Sequence, residues 1–200
     1  MRRAGVRRRG AELEAAIFDA ALEQLTSSGY ARLSMEAVAT AARTGKASVY
    51  RRWPSKEELV LDALRSTLPE PGVPPATGSL RGDLLEVLDR LRVAMTSPPG
   101  CAARAVISEL DHERAAAFVG FMHERLVDPV KQLLREVFAA AEARGEIRPG
   151  SVTPAVVDVI PALMMYRSKL GGGEFTPADA RAAVDEVLLP IVRTHRPDTT

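Results

Sequence analysis

Apolar side chains recur along this chain at helical spacing, and no segment alternates as a half-buried strand would. Leu13, Ile17, Phe18, Ala21, Leu22 and Leu25 form one face of a first helix. "SSGY" ends it, with Gly29 able to take the left-handed conformation. Ser34 supplies a capping hydroxyl to a second helix, "MEAVATAA", whose first turn holds Glu36, where the helix dipole favours an acid. A four-residue turn, Ala42 to Gly45, leads into a short third helix that Pro54 stops. Ser55 and Glu58, at capping-box spacing, open a fourth, "KEELVLDALRSTL".

"PEPGVPPATGS", residues 69–79, interrupts this pattern with four prolines and two glycines. Longer helices are predicted beyond it, over 80–96, 101–111 and 113–143, the last kinked before Pro129. "RGEIRPGSVTP" is a second break. Thr153-Pro154 and Thr176-Pro177 then open helices over 154–170 and 177–194, each pairing a capping hydroxyl with proline at the first helical position. The expectation is an all-α protein: a basic arm over 1–10, a small helical domain over 11–67, a connection over 68–79, and a larger helical domain over 80–196.

Charge separates the two parts. The net charge is +1, yet residues 1–65 carry 12 Lys/Arg against 8 Asp/Glu, and residues 66–200 carry 15 against 18. Five arginines fall in the first nine positions, so an anionic partner is expected for the front end alone. Hydrophobic residues at 46% and charged residues at 26% indicate a globular chain, and the single Cys101 suits a reducing compartment. "AELEAAIFDAALEQL", with four acids, follows the basic start where a signal peptide would be apolar, and no run approaches the ~18 apolar residues of a membrane span. A cytoplasmic protein with no membrane partner is expected.

Residues 34–53 have the spacing of two helices crossing at a tight turn, with Ala39 small at the crossing and Val49 filling it ten residues later. Val49 and Trp53, four apart, belong to the core. Lys46, Ala47, Ser48, Arg51 and Arg52 lie outside that stripe, and such a face fits the major groove, where arginine and lysine read guanine and hydroxyls hold phosphate. Tyr50 borders the core and can direct its hydroxyl to a backbone phosphate; Lys56 and the amides after Ser55 make a further phosphate contact.

The stretch "ARLSMEAVATAARTGKASVYRRWPSKEELVLDAL" resembles the DNA-binding domain of TetR/AcrR-type transcriptional regulators, in its tyrosine, its aromatic-proline pair and its serine-lysine element. The resemblance runs to about Leu64, and beyond residue 80 it is one of length and helix count. It implies a helix-turn-helix domain followed by a ligand-binding and dimerisation domain. The implied function is a homodimeric one-component repressor, released from a palindromic double-stranded operator by a small-molecule effector. On this reading the DNA-facing set is Ser34, Lys46, Ala47, Ser48, Tyr50, Arg51, Arg52 and Lys56. The chain departs from the family at Arg43, where glycine is usual; a non-glycine residue held left-handed there costs about 1 kcal/mol.

The second domain offers two further expectations. Phe118, Phe121, Met122, Met164, Met165 and Tyr166 are either plain core or the lining of an adaptable apolar pocket; Phe118, Phe121, Met122, Met164 and Tyr166 are the candidate effector residues. Val156, Ile160, Leu163 and Met164 on one helix, and Val184, Val187, Leu188 and Ile191 on the next, form stripes suited to pairing with a second copy. Other chemistry finds little support. Glu109 and His112 have the i, i+3 spacing of a di-iron ligand pair, but His123 and His195 have no acid three residues before them, so no metal site is expected. Glycine-rich phosphate loops, serine elbows and recognisable catalytic carboxylate pairs are missing from the sequence, and neither an enzyme nor a cofactor is expected. The alternative is a helical protein that binds nucleic acid without sequence preference, with an all-α enzyme third.

Overall fold

A computed structural model describes residues 10–109, 115–169 and 174–193. The basic arm over 1–9, His112 and His195 lie outside the described residues. The helices are α1 Ala11–Ser28, α2 Met35–Ala41, α3 Lys46–Tyr50, α4 Lys56–Thr67, α5 Leu80–Thr96 and α6 Pro98–Glu109, then α7 Ala115–Met122, α8 Asp128–Ala143, α9 Pro154–Lys169, α10 Pro177–Ala182 and α11 Leu189–Val192. There is no strand among the described residues.

The chain divides into two compact units. The first combines the residues up to Leu68 with Thr96–Val119; the second combines Pro69–Met95 with the residues from Gly120 onward. In the first unit α1 packs on α2, α4 and α6. Ile17, Ala21 and Leu25 of α1 are fully enclosed, as are Leu59, Val60 and Ala63 of α4. The α6 face is built from small residues, Gly100, Ala102 and Ala103, with Val106. Beyond that helix face, Glu109 reaches the loop after α1: the Ala31 amide donates to its Oε2 at 2.8 Å. Gly29 has φ 83, a conformation that favours glycine, and a Cβ there, 1.9 Å from Glu109 Oε1, would push that carboxylate away. Cys101 is partly exposed, and the Arg104 guanidinium donates to its Sγ at 3.2 Å.

In the second unit one core joins α5 (Leu80, Leu84, Val87, Leu88), α8 (Leu134, Val137, Phe138), α9 (Val156, Val157, Ile160, Met164) and the C-terminal helices (Val184, Leu188, Val192). This changes the pairing expectation. Val156, Ile160, Met164, Val184 and Leu188 are buried within the chain's own core, and Leu163 is partly buried against it. Five helices' worth of apolar stripe must close on one another before any face is left for a partner. Of the eight residues, Val187 and Ile191 remain outward, at 38% and 43% exposure.

Two prolines shape this unit. A π-helical turn, His123–Val127, precedes Pro129, at the point where a kink was expected, and another, Ala183–Leu188, precedes Pro190. Proline lacks an amide hydrogen and its ring collides with the carbonyl four residues back, Arg125 and Glu186 respectively. Each of those residues lies in a widened turn, which relieves the collision without ending the helix.

Asp83, a buried acid on α5, fastens the end of the connection. Its Oδ1 accepts from the Thr77 amide at 2.8 Å and the Thr77 hydroxyl at 2.7 Å, and its Oδ2 accepts from Arg144 at 3.0 Å. Arg144 also pairs with Glu146, whose Oε2 accepts from the Leu80 amide at 2.7 Å.

Candidate nucleic-acid interface

The reading head is built from α2, α3 and the start of α4. Ser34 caps α2 through its Oγ, which accepts from the Ala37 amide. The turn after α2 closes with the Thr44 amide on the Ala39 carbonyl (2.9 Å) and the Arg43 amide on that of Thr40 (3.1 Å). These are the two hydrogen bonds of a Schellman motif. Its left-handed position is Arg43, at φ 55. The departure from glycine is thus accommodated by a left-handed arginine, with an exposed side chain.

One side of α3 is fixed. Val49 is fully buried and Trp53 is 4% exposed, its ring 5.4 Å from that of Phe18 and its indole N–H donating to Asp62 Oδ2 at 3.0 Å. Ser55 then caps α4, its Oγ accepting from the Glu58 amide at 3.2 Å. Half of the expected capping box forms, because Glu58 Oε1 takes the Ser55 hydroxyl instead of its amide.

The other side faces outward. Lys46, Ala47, Tyr50, Arg51 and Arg52 are exposed, and Ser34 and Ser48 are partly so. Their surroundings differ. Arg51 has no side-chain partner among the described residues, whereas Arg52 lies 3.9 Å from Glu14. Lys46 pairs with Glu36 and sits 5.4 Å from the Tyr50 ring centre. The Tyr50 hydroxyl donates to Glu36 Oε1 at 3.3 Å, and the Ser34 hydroxyl to Glu36 Oε2 at 3.1 Å. Donation from Lys46, above all, with the residue's own amide and Ser34, lowers the Glu36 carboxyl to about 2.

Lys56 is occupied differently from the sequence expectation. Its ammonium donates to the carbonyls of Tyr30 (2.9 Å) and Ala31 (3.3 Å), and lies 4.5 Å from the Tyr30 ring centre. It ties α4 to the loop after α1. Sequence reading missed Glu36 and Tyr30 as partners; Glu36 was legible only as a first-turn acid, and nothing local marks Tyr30.

The candidate effector residues are divided between the two units. Phe118 is buried in the first unit, edge-on to Tyr30 with ring centres 5.7 Å apart. Phe121, Met122, Met164 and Tyr166 belong to the second unit, where Phe121 and Met164 are buried, Met122 partly so, and Tyr166 is 54% exposed. An open cavity of about 470 Å³ in that unit is lined by residues 70–73 with Arg125, Pro129, Gln132, Leu133 and Glu136; two of these, Arg125 and Glu70, pair at 3.0 Å.

Comparison with known proteins agrees with this geometry. Residues 17–63 match the family model described as bacterial regulatory proteins, tetR family, and residues 74–187 match the tetracyclin repressor-like C-terminal domain. An uncharacterized HTH-type transcriptional regulator of Mycobacterium tuberculosis is 38% identical over 169 residues, 84% of this chain and 82% of its own. The DNA-binding transcriptional repressor TetR of Mycobacteroides abscessus is 31% identical over 188 residues, 92% of this chain and 96% of its own. Two solved structures share the fold. A protein described as a TetR-family transcriptional regulator of Mesorhizobium loti superposes with a TM-score of 0.72 at 20% identity, over 94% of this chain and 100% of its own. NalD, the secondary repressor of the MexAB-OprM multidrug efflux pump in Pseudomonas aeruginosa, does so with a TM-score of 0.65 at 19% identity, over 92% and 98%. The chain belongs to the TetR family of bacterial transcriptional regulators.

Proposed function

We propose that the protein is a homodimeric repressor whose α3 enters the major groove of a two-fold operator and whose release from DNA is driven by a small-molecule effector. One observation carries the reading: α3 is anchored on one side by Val49 and Trp53 while its opposite side presents Arg51, a guanidinium with no side-chain partner among the described residues. Arg51 and Lys46 read base edges; Ser34, Ser48, Tyr50 and Arg52 hold phosphates, and Ala47 packs close to the groove. Lys56 acts through the loop it fastens. Two such heads related by two-fold symmetry address half-sites ~34 Å apart or at multiples of that spacing. The effector acts by binding better to the conformation with lower DNA affinity.

Footprinting of the DNA flanking its own gene tests the reading. Protection of a two-fold sequence is expected. On duplexes matched and mismatched to it, Arg51→Ala should erase about 1–3 kcal/mol of discrimination at one base pair, while Tyr50→Ala weakens all duplexes equally. Even protection with no preferred sequence would favour a non-specific nucleic-acid-binding protein instead.

A further inference from the structure

We propose that the Glu36 carboxylate is an internal competitor for DNA, holding Ser34, Lys46 and Tyr50 until phosphate oxygens take its place on Ser34 and Tyr50 and a base edge takes its place on Lys46. The proposal rests on the DNA-binding reading above. Three donors from three separate points of the reading head converge on this one side chain: the Lys46 ammonium, the Tyr50 hydroxyl at 3.3 Å and the Ser34 hydroxyl at 3.1 Å. All three belong to the face expected to meet DNA. A carboxylate and a phosphodiester offer the same donors the same thing, anionic oxygens a few ångströms apart, so the group that organises the free protein also blocks its contacts. Glu36 and Lys46 are both well exposed, at 50% and 60% of their side-chain surface, so exchange requires no unpacking of the core.

The consequence for recognition is a higher threshold for binding. Every duplex must displace Glu36 to engage Lys46 and Tyr50, whereas Arg51 is available without any exchange. The displacement therefore lowers affinity for all DNA by a similar factor, and only a sequence that also satisfies the base-reading residues recovers it. Because the Lys46 hydrogen bond and Ser34 keep the Glu36 carboxyl near 2, the competitor stays ionised throughout the neutral range and is removed by exchange, not by protonation.

The test is a double-mutant cycle, read by fluorescence anisotropy on a short scrambled-sequence duplex at low salt and on a duplex from the region flanking the gene. Glu36→Gln should tighten binding to both by about two- to fivefold per reading head, the range typical of an exposed ion pair. In a Lys46→Met background the same Glu36→Gln change should lose most of that gain, because the competitor has lost its main hold. Circular dichroism should show unchanged helix content in each variant. Equal gains with and without Lys46 would mean that removing a negative charge near DNA is the whole effect, and the competitor proposal falls; so would no gain at all. If the wild-type chain binds neither duplex, the DNA-binding reading itself fails, and the competitor with it.

Discussion

Arg43 is the residue where local backbone and side-chain chemistry pull apart. Its φ of 55 serves a turn that both Schellman hydrogen bonds require, yet an L side chain in that conformation crowds its own backbone. Arg43→Gly should therefore stabilise the first unit by about 0.5–1 kcal/mol in chemical denaturation, the strain relieved being partly offset by glycine's greater freedom when unfolded. The same variant reports on function: if the guanidinium meets a phosphate, the slope of log K against log salt becomes shallower by about 0.9 for that contact. Stabilisation with an unchanged slope would make Arg43 a turn residue alone. The strain could be anticipated from the sequence, because a left-handed position is set by the spacing of the two helices around it. Lys56 could not be read in this way. Its partners are 25 and 26 residues earlier, and an exposed-looking lysine at a helix start gives no hint that two carbonyls and a ring enclose its ammonium.

At the scale of elements, the helices were legible where caps, prolines and apolar period agree, although the helix expected over 101–111 begins at Pro98 and the one expected over 113–143 is two, α7 and α8, with a π-helical turn between them. Ser34, Ser55 and Thr176 all cap as their positions suggest, and Thr176 forms a full capping box with Asp179. The π-helical turns were not legible, since one extra residue in a turn leaves the polar and apolar pattern almost unchanged. Asp83 was hidden for another reason: acids in a first turn are common, and only the fold shows this one fully enclosed. Asp83→Ala should cost about 2–3 kcal/mol, because it removes a charge-assisted hydrogen bond and strands the Thr77 amide. The pH dependence has a definite sign. Burial opposes ionisation of Asp83, but Thr77 and Arg144 together outweigh it and hold the carboxyl below its ordinary 3.8; for Glu146, burial is likewise outweighed by the Leu80 amide and Arg144, below an ordinary 4.5. Both groups are thus more acidic folded than unfolded, so their contribution is complete above those ordinary values and is lost as pH falls through the lower, folded ones. Urea unfolding between pH 6 and 3 should show stability falling at the acid end, and less steeply in Asp83→Asn.

For the whole molecule, the pattern foretold two helical parts but not which segments fold together. An apolar stripe announces that a helix will bury one side; it does not say against what. The stripes on α9 and the C-terminal helices illustrate this, having been absorbed largely into the second unit's own core. What they leave exposed is narrower: Met165 and Tyr166 on α9, at 55% and 54%, with Val187 and Ile191 near the C-terminus. If two copies pair through that surface, Val187→Glu with Ile191→Glu should give a monomer by light scattering, with unchanged helix content by circular dichroism, a melting temperature that no longer depends on protein concentration, and a large loss of operator affinity. A double variant that stays dimeric would put the seam elsewhere. Leu188→Glu is unsuited to this test, since a charge at a fully buried position would unfold the unit before reporting on assembly. The company kept by α6 has a different kind of consequence. It follows the proline-rich connection in the chain, yet it packs on α1 and α4, and Glu109 at its end seats against Gly29. A hybrid regulator made by splicing a foreign reading head at the proline-rich segment would thus inherit a mismatched α6. Recombination, in the laboratory or between genomes, can exchange the DNA specificity of this protein cleanly only if residues 96–119 travel with the first 68.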